Sequence, residues 1–526
     1  MHDLLRSLAQ HVAGDECFVG DARAFENKIK SSSSSIKLRH LSIVDGNLET
    51  IPDLIMKQTS LRTLSFFHTP LIHNLPEDLF RKLRSLRGLN LSETTIANLP
   101  TSLGDLVHLR RLDLSHTKIR EIPESIENLR NLLFLMLEDC KYLRNLPNGV
   151  MGLINLRILD VWGAPLDGLP VGIGRLKQLR SLRGFVANGC TLEELKSLSQ
   201  LRYISMVKLE RVSDRAKAKA AALQAKPHLV YLYLYCTLPS SSSDVQLPHA
   251  NDYEEEDINR IREVFEELRP PPCIEVLLID GYFGLEFPNW MMTPSSSSFR
   301  NLRRLDLTNC ALCRQLPRLG MLPQLDCLWI SGASEVTSIG PEFLLLADSC
   351  FSPCFPKLET LGFRNMTNWE KWWWRWEDED NQTTSLLPSL NKLIIDMCPK
   401  LRSLPESLLC YATALKELRI RSAHSLREIQ NLPSLTELIL VHSSRLVSVS
   451  NFPVLKHLGV YACEGLKVVE GVDAVEHIQL DDREVESLPE WLTGAGEEQP
   501  RLPSLHKLTL KNKICHRELP DWPLIR

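Results

Sequence analysis

One phrase, Leu-x-x-Leu-x-Leu, returns along this chain from about residue 38 to about residue 510, each time followed by a turn and then an apolar-Pro pair. One copy is Leu86, Leu89, Leu91 and Leu99-Pro100. The next are Leu109, Leu112, Leu114 with Ile122-Pro123, and Leu132, Leu135, Leu137 with Leu146-Pro147. These copies recur roughly every 23–25 residues. A chain built this way does not close around one interior. It stacks strand-turn-return units, each burying its leucines on its neighbours.

The first leucine of the phrase starts a strand, and the fourth and sixth residues point inward because strand side chains alternate. The third, fifth and seventh then face out on a concave sheet. The ninth sits at the bend, where a small group must hydrogen-bond the turn backbone. It is Thr69, Thr94 or Thr117 in early copies, and Cys140, Cys310, Cys398 or Cys463 in others. The Leu-Pro pair fixes the return, because proline has no amide donor and a set φ.

The outward positions carry aromatic and large apolar residues: Phe134, Met136, Trp162, Phe185, Tyr203, Tyr231, Tyr233, Tyr235 and Trp329. Alternation puts Tyr231, Tyr233 and Tyr235 on one face while Leu232 and Leu234 go inside. On neighbouring strands such residues form a contiguous stripe, and tyrosine and tryptophan are common anchors of protein interfaces. The competing account is ordinary cross-strand packing. A second row follows the first leucine: Arg39, Arg62, Arg87, Arg110, Arg157, Arg180 and Arg202. In register these make a basic ladder, suited to docking an acidic surface or simply to solubility and edge protection.

Phrase starts at Leu38, Leu61, Leu86, Leu109, Leu132, Leu156 and Leu179 form a regular block. Strands at Leu201 and Leu229 follow, then irregular starts at Ile274, Leu302, Leu325, Leu358, Leu390, Leu415, Leu435, Leu455, Val475 and Leu505. Between the blocks, Arg215 to Gln224 reads as an Ala/Lys helix, and Asn251 to Arg269 as an amphipathic helix stopped by Pro270. Five tryptophans, Trp369, Trp372, Trp373, Trp374 and Trp376, precede an acidic run. Of these, Trp369 and Trp372 are expected in the core.

With 526 residues the chain exceeds what one packed core usually supports. Its net charge of −4 gives no overall basic balance for nucleic-acid binding. No stretch reaches the apolar length of a membrane span, and the start lacks the regions of a signal peptide. Fourteen cysteines in this length are not disulfide-dense. A cytosolic location with reduced thiols follows. The spacing of Cys310, Cys313, Cys350 and Cys354 does not match a zinc ribbon, and turn thiols are the preferred reading. No nucleophile elbow, zincin helix or kinase signature is present, so no catalytic residue is assigned.

Several phrases carry a family resemblance. Met1, His2 and Asp3 head an amphipathic helix, MHDLLRSLAQHVAGDE, that resembles the MHD motif of the NB-ARC switch in plant nucleotide-binding leucine-rich-repeat immune receptors. FGLEFPNW at Phe283–Trp290 looks like that family's G-x-x-F-P-x-W phrase. FPKLETLGFRNMTNWEKW at Phe355–Trp372 and LNKLIIDMCPKLRSLP at Leu390–Pro405 are similar to its later repeats, and Lys208–Leu234 to the segment joining its repeat blocks. The match is closest to the coiled-coil type and covers nearly the whole chain.

The resemblance implies an α/β solenoid: a leucine-rich-repeat horseshoe with a parallel concave sheet, preceded by a short winged-helix remnant. It divides the chain into a remnant and linker (1–35), a regular block (36–212), an irregular junction (213–273) and a second, irregular block (274–526). The implied function is protein recognition and autoinhibition in a receptor for pathogens. The partners would be a pathogen effector or guarded host protein, and the nucleotide-binding switch in cis or trans. The implied compartment is the cytoplasm or nucleus. In the family the MHD histidine, here His2, approaches a bound nucleotide. This chain has no G-x-x-x-x-G-K-[ST] cradle, so ADP or ATP is expected only in the context of a whole receptor, of which the chain would be the C-terminal part or a truncated product. Two alternatives are a Ras-interacting type of repeat scaffold, opposed by the MHD helix, and a ubiquitin-ligase substrate adaptor, opposed by the short leader. An extracellular ectodomain is a third, opposed by the missing signal peptide and cysteine caps.

Overall fold

Leu86, Leu89 and Leu91, and their equivalents Leu109, Leu112 and Leu114 one repeat on, are completely or almost completely buried. Each set fills the gap left by the set before it, which is how a repeat too small to have an interior acquires one. The computed structural model describes residues 14–31, 37–67, 69–187, 192–236, 253–292, 299–344, 354–373, 387–405, 412–481, 489–493 and 502–511. Residues 1–13, with Met1, His2, Asp3 and most of the helix expected there, lie outside these residues, as do Trp374 and Trp376. The chain forms two compact units, Met1–Ser241 and Ser242–Arg526, and the division falls within 213–273.

In the first unit the strands are β1 (Cys17–Gly20), β2 (His40–Val44), β3 (Thr63–Phe67), β4 (Gly88–Asn90) and β5 (Arg111–Asp113). They continue as β6 (Phe134–Met136), β7 (Ile158–Asp160), β8 (Ser181–Val186), β9 (Tyr203–Val207) and β10 (Tyr231–Tyr235). Each pairs in parallel with the next. The sheet thus begins at Cys17, inside the 1–35 segment.

The bends are built from left-handed residues: Glu93 (φ 60°), His116 (φ 58°), Asp139 (φ 53°) and Gly163 (φ 72°). That twist turns an N–H toward the neighbouring repeat. Glu93 donates to the Ser115 carbonyl at 3.0 Å, His116 to Glu138 at 2.7 Å, and Asp139 to Trp162 at 2.7 Å. Below the bend, the Thr94 and Thr117 hydroxyls donate to the carbonyls of Leu91 and Leu114, both at 2.7 Å, and the Cys140 thiol to Leu114 at 3.1 Å. Burial pushes that thiol up to about 11. Thr69 is the exception, its hydroxyl oxygen buried without a hydrogen-bond partner.

The Leu-Pro pairs open the return path. Pro100, Pro123 and Pro147, with φ of −67°, −66° and −67°, precede the 3-10 turns Thr101–Asp105, Glu124–Asn128 and Asn148–Gly152. The ring locks φ near the value these entries need, and the proline carbonyl accepts the first turn bond, as from Leu103 N–H at 3.0 Å.

The second unit has a main parallel sheet of β11 (Val276–Asp280), β12 (Arg304–Thr308), β13 (Cys327–Ser331), β15 (Thr360–Arg364) and β17 (Lys392–Asp396). It runs on through β18 (Glu417–Arg421), β20 (Glu437–Val441), β22 (His457–Tyr461), β24 (His477–Asp481) and β25 (Lys507–Lys511). Here the return can itself be a strand: β14 (Ser338–Ile339) pairs with β16 (Lys371–Trp372), and β19 (Glu428–Gln430), β21 (Ser448–Ser450) and β23 (Val468–Glu470) form a small sheet. These late repeats are short, and Asn431 and Asn451, 20 residues apart, bond side chain to side chain at 2.7 Å.

The helix expected over Asn251–Arg269 is observed as Glu255–Glu267, burying Ile261, Val264 and Phe265. The phrase at Phe283–Trp290 is its seat. The rings of Phe265 and Tyr282 lie 4.7 Å apart, and Trp290 Nε1 donates to the Phe265 carbonyl at 2.9 Å. The expected Ala/Lys helix is shorter than its sequence signal, Arg215–Ala220, because Ala222 turns left-handed (φ 49°) before the 3-10 turn Leu223–Ala225. Phe363, Trp369 and Trp372 form one buried cluster with ring centroids 4.8, 5.2 and 5.4 Å apart, while Trp373 is exposed. Among the described residues no helix is long and apolar enough to cross a membrane, and no group of His, Cys, Asp or Glu could hold a metal.

Candidate functional site

The concave face of β6 to β10 gathers most of the aromatic residues named from the sequence. Phe134, Met136, Trp162, Tyr203 and Tyr233 are half-buried and Tyr231 is exposed, while Leu229, Leu232 and Leu234 are fully buried. The Tyr203 ring lies 5.9 Å from Tyr231 and 5.1 Å from Tyr233. Burial pushes the Tyr203 phenol up to about 12, with Tyr233 adding to it.

Two members of the stripe are buried rather than presented. Phe185 is fully buried, because a bulge adds one residue to β8. Leu182 pairs with Ile204 but Phe185 with Met206, so Phe185 takes the inward place that Gly184 would have held. Gly184 adopts φ 80°, its N–H donates to the buried Ser205 hydroxyl at 2.7 Å, and a Cβ there would strike the Val161 carbonyl at 2.8 Å. A glycine in place of the sixth-position leucine was the available signal. Tyr235 keeps its side of the strand but is only 7% exposed, because the Trp162 ring packs on it at 4.8 Å. It supports the face and offers little of it to a partner.

Sequence reasoning missed the polar centre of this face. Arg183, next to the bulge, reaches the fully buried Asp160 at 2.6 Å and Glu138 at 3.6 Å, and lies 6.0 Å from the Tyr203 ring centre. Burial raises the Asp160 carboxyl, and the Arg183 charge offsets only part of that. The remaining Asp160 oxygen accepts the Trp162 N–H at 3.1 Å, fixing the backbone under the tryptophan.

Trp329 lies in the second unit, on β13. Its ring covers Gly362 of β15, where a Cβ would meet ring carbon Cε3 at 2.3 Å. It is half-buried and belongs to that unit's sheet, not to the cluster on β6 to β10.

The arginine row is in register. Arg62 N–H donates to the Arg39 carbonyl at 2.7 Å, Arg87 to Arg62 at 2.6 Å, and Arg110 to Arg87 at 2.7 Å. Leu133 interrupts the row between Arg110 and Arg157, and Arg180 and Arg202 complete it at 2.8 Å each. Arg39 pairs with Glu16 at 3.2 Å. Arg87, Arg110, Arg157, Arg180 and Arg202 are exposed and Arg62 half-buried. Parallel pairing spaces the row by about 4.8 Å per strand.

Residues 100–373, just over half the chain, match the family model described as a leucine-rich repeat region, and residues 59–119 match a leucine rich repeat model. A disease resistance protein of Arabidopsis thaliana is 36% identical over 422 residues, which cover 78% of this chain and 28% of that protein. The disease resistance protein RGA2 of Solanum bulbocastanum is 32% identical over 387 residues, covering 70% of this chain and 37% of that one. The chain thus spans about a third of the length of such relatives. A solved LRR protein of Leptospira interrogans overlays with a TM-score of 0.39 at 20% identity, covering 81% of this chain and 79% of that one. The stacked parallel strands, the leucines that fill them and the matched region make this chain a leucine-rich-repeat protein whose relatives are plant disease resistance proteins.

Proposed function

We propose that this chain is the recognition region of an intracellular plant immune receptor, working in the cytoplasm or nucleus. Its concave aromatic face binds a pathogen effector or a guarded host protein. The observation that carries this reading is the partly exposed cluster of Tyr203, Tyr231 and Tyr233, with the half-buried Trp162 on the same face. Apolar rings held in the open are costly unless something covers them, and the relatives act in disease resistance by name.

The arginine row has the second role: it docks the nucleotide-binding switch and holds the receptor off. Stacked, mostly exposed guanidinium groups of one sign suit an acidic partner surface. The chain has no catalysis of its own, and ADP or ATP belongs to the switch of the whole receptor.

In a whole receptor, Tyr231→Ser with Tyr233→Ser should remove the ligand response at unchanged expression. Arg87→Glu, Arg110→Glu and Arg157→Glu together should weaken association with a nucleotide-binding fragment and raise unstimulated signalling. A normal ligand response in the tyrosine variant returns the stripe to ordinary cross-strand packing. Unchanged co-purification of the arginine variant leaves that row a solubility feature.

A further inference from the structure

The aromatic face has an electrical sign, and it is opposite to that of the arginine row. Four carboxylates edge the face on β5 to β7: Asp113, Glu138, Asp139 and Asp160. Among the described residues, two guanidinium groups meet them. Arg111 pairs with Asp113 at 3.0 Å, and Arg183 is shared between Asp160 at 2.6 Å and Glu138 at 3.6 Å. Asp139 has His116 at 3.5 Å. Asp160 is fully buried and holds the short contact to Arg183, so Glu138 is the weaker claimant. Glu138 and Asp139 are each one-third exposed.

The Asp139 carboxylate is also held in place. Asp139 is left-handed (φ 53°), and its Oδ1 sits over Gly163, where a Cβ would come within 2.0 Å. Its N–H donates to the Trp162 carbonyl. Asp139 is therefore fixed to the backbone that presents Trp162, whose half-buried ring packs on Tyr235. A cation brought here meets carboxylates and a tryptophan together, a pairing that stabilises it beyond what either supplies alone.

The geometry points to a partner segment that carries a lysine or arginine beside an aromatic or branched apolar side chain, and we propose that this is what the concave face of the first unit binds. The apolar group lies on Tyr203, Tyr231 and Tyr233, and the basic group between Glu138 and Asp139 at the edge of Trp162. The proposal rests on reading this face as the recognition face, and it adds the chemistry of the occupant. An acidic partner attracted by the arginine row is repelled here, so the two surfaces select different ligands.

The test pans displayed random 12-residue peptides against the full chain, with the Tyr231→Ser, Tyr233→Ser variant as counter-selection. Enriched peptides are then measured by fluorescence anisotropy. The expected peptides hold Lys or Arg within about four residues of Trp, Tyr, Phe or Leu. Glu138→Gln with Asp139→Asn should weaken them by about tenfold, the tyrosine variant by at least as much, and added salt should weaken them further. Thermal unfolding confirms that both variants remain folded; single Glu138→Gln and Tyr231→Ser changes replace any double that does not. Acidic or neutral peptides that need the tyrosines but ignore Glu138→Gln and Asp139→Asn overturn the charge assignment and leave the recognition face standing. Peptides indifferent to the tyrosines, or no enrichment above the counter-selecting variant, overturn both.

Discussion

The second residue of the repeated phrase behaves differently in Met1–Ser241 and in Ser242–Arg526. In the first unit it is arginine from Arg39 to Arg202, broken only by Leu133. In the second, the same ladder of backbone bonds carries Glu275, Arg303, Asp326, Glu359, Asn391, Lys416, Thr436, Lys456 and Glu476. There opposite charges fall on adjacent strands and meet: Arg303 with Asp326 at 2.8 Å, and Lys456 with Glu476 at 3.1 Å. The concave surface repeats the contrast. Arg364 pairs with Asp396 at 2.9 Å and Lys392 with Glu417 at 2.9 Å across β15, β17 and β18, whereas β9 and β10 present tyrosines. One backbone plan thus supports a surface that neutralises itself and a surface that leaves charge and apolar area for something else.

The largest effect that could break this contrast is on the shared frame. Leu232→Asp buries a charge at a fully buried site of the first unit, and Leu438→Asp does the same in the second. Each should cost about 4 kcal/mol or more in urea unfolding. Tyr233→Ser, on the face, should cost about 1 kcal/mol. Equal losses for Tyr233 and Leu232 would mean that the tyrosines are core after all.

Tryptophans sharpen the comparison next. Trp369→Ala empties a buried cluster and should cost about 3–5 kcal/mol. Trp162→Ala removes a half-buried ring and should cost about 1–2 kcal/mol, measured in the same unfolding experiment.

The third prediction is a pH dependence. Burial pushes the Glu210 carboxyl in the first unit up to about 7 from an ordinary 4.5. The folded state holds that proton more tightly than the unfolded one, so stability falls as pH rises from 4.5 through 7. Glu210→Gln should therefore stabilise the unit by on the order of 1–2 kcal/mol at pH 8 and by nothing at pH 4. Asp280 in the second unit is also raised by burial, but Asn309 donates to it at 2.8 Å and opposes the shift, so Asp280→Asn should show a smaller trend. Flat profiles for both would remove the distinction.

Smallest are the surface charges. Arg110→Ala relieves like-charge neighbours and should leave stability within about 0.5 kcal/mol, shifting upward at low salt. Arg303→Ala removes a compensated pair and should lose up to about 1 kcal/mol. Calorimetric scans at two salt concentrations check both signs.

The repeat was legible because buried leucines at fixed spacing leave little choice of register. Every strand start named from the phrase is a strand of the sheet. Cys17–Gly20 was not legible, since a four-residue strand without the leucine phrase has no periodic signature. The candidate face was legible in its tyrosines but not in its charges. Asp160 and Arg183 are register partners at the fifth position of neighbouring strands, one residue before the bulge at Gly184, so their pairing follows from the regular ladder and shows only when the two phrases are aligned. That same bulge misplaced Phe185, since alternation counts residues and a bulge adds one. Burial of Tyr235 depended on a ring three strands away, which no local pattern reports.

That last contact changes how the array should come apart. A stack of repeats in which each touches only the next behaves as a one-dimensional chain, fraying from its ends one unit at a time. Trp162 on the turn after β7 and Tyr235 on β10 touch across β8 and β9, whose seventh-position residues Val186 and Val207 stay low in the sheet. The rings therefore tie non-adjacent members of the series. Backbone amides from β7 to β10 should exchange with solvent as one cooperative block rather than in sequence, and loss of either ring should return them to the gradual order of a simple stack.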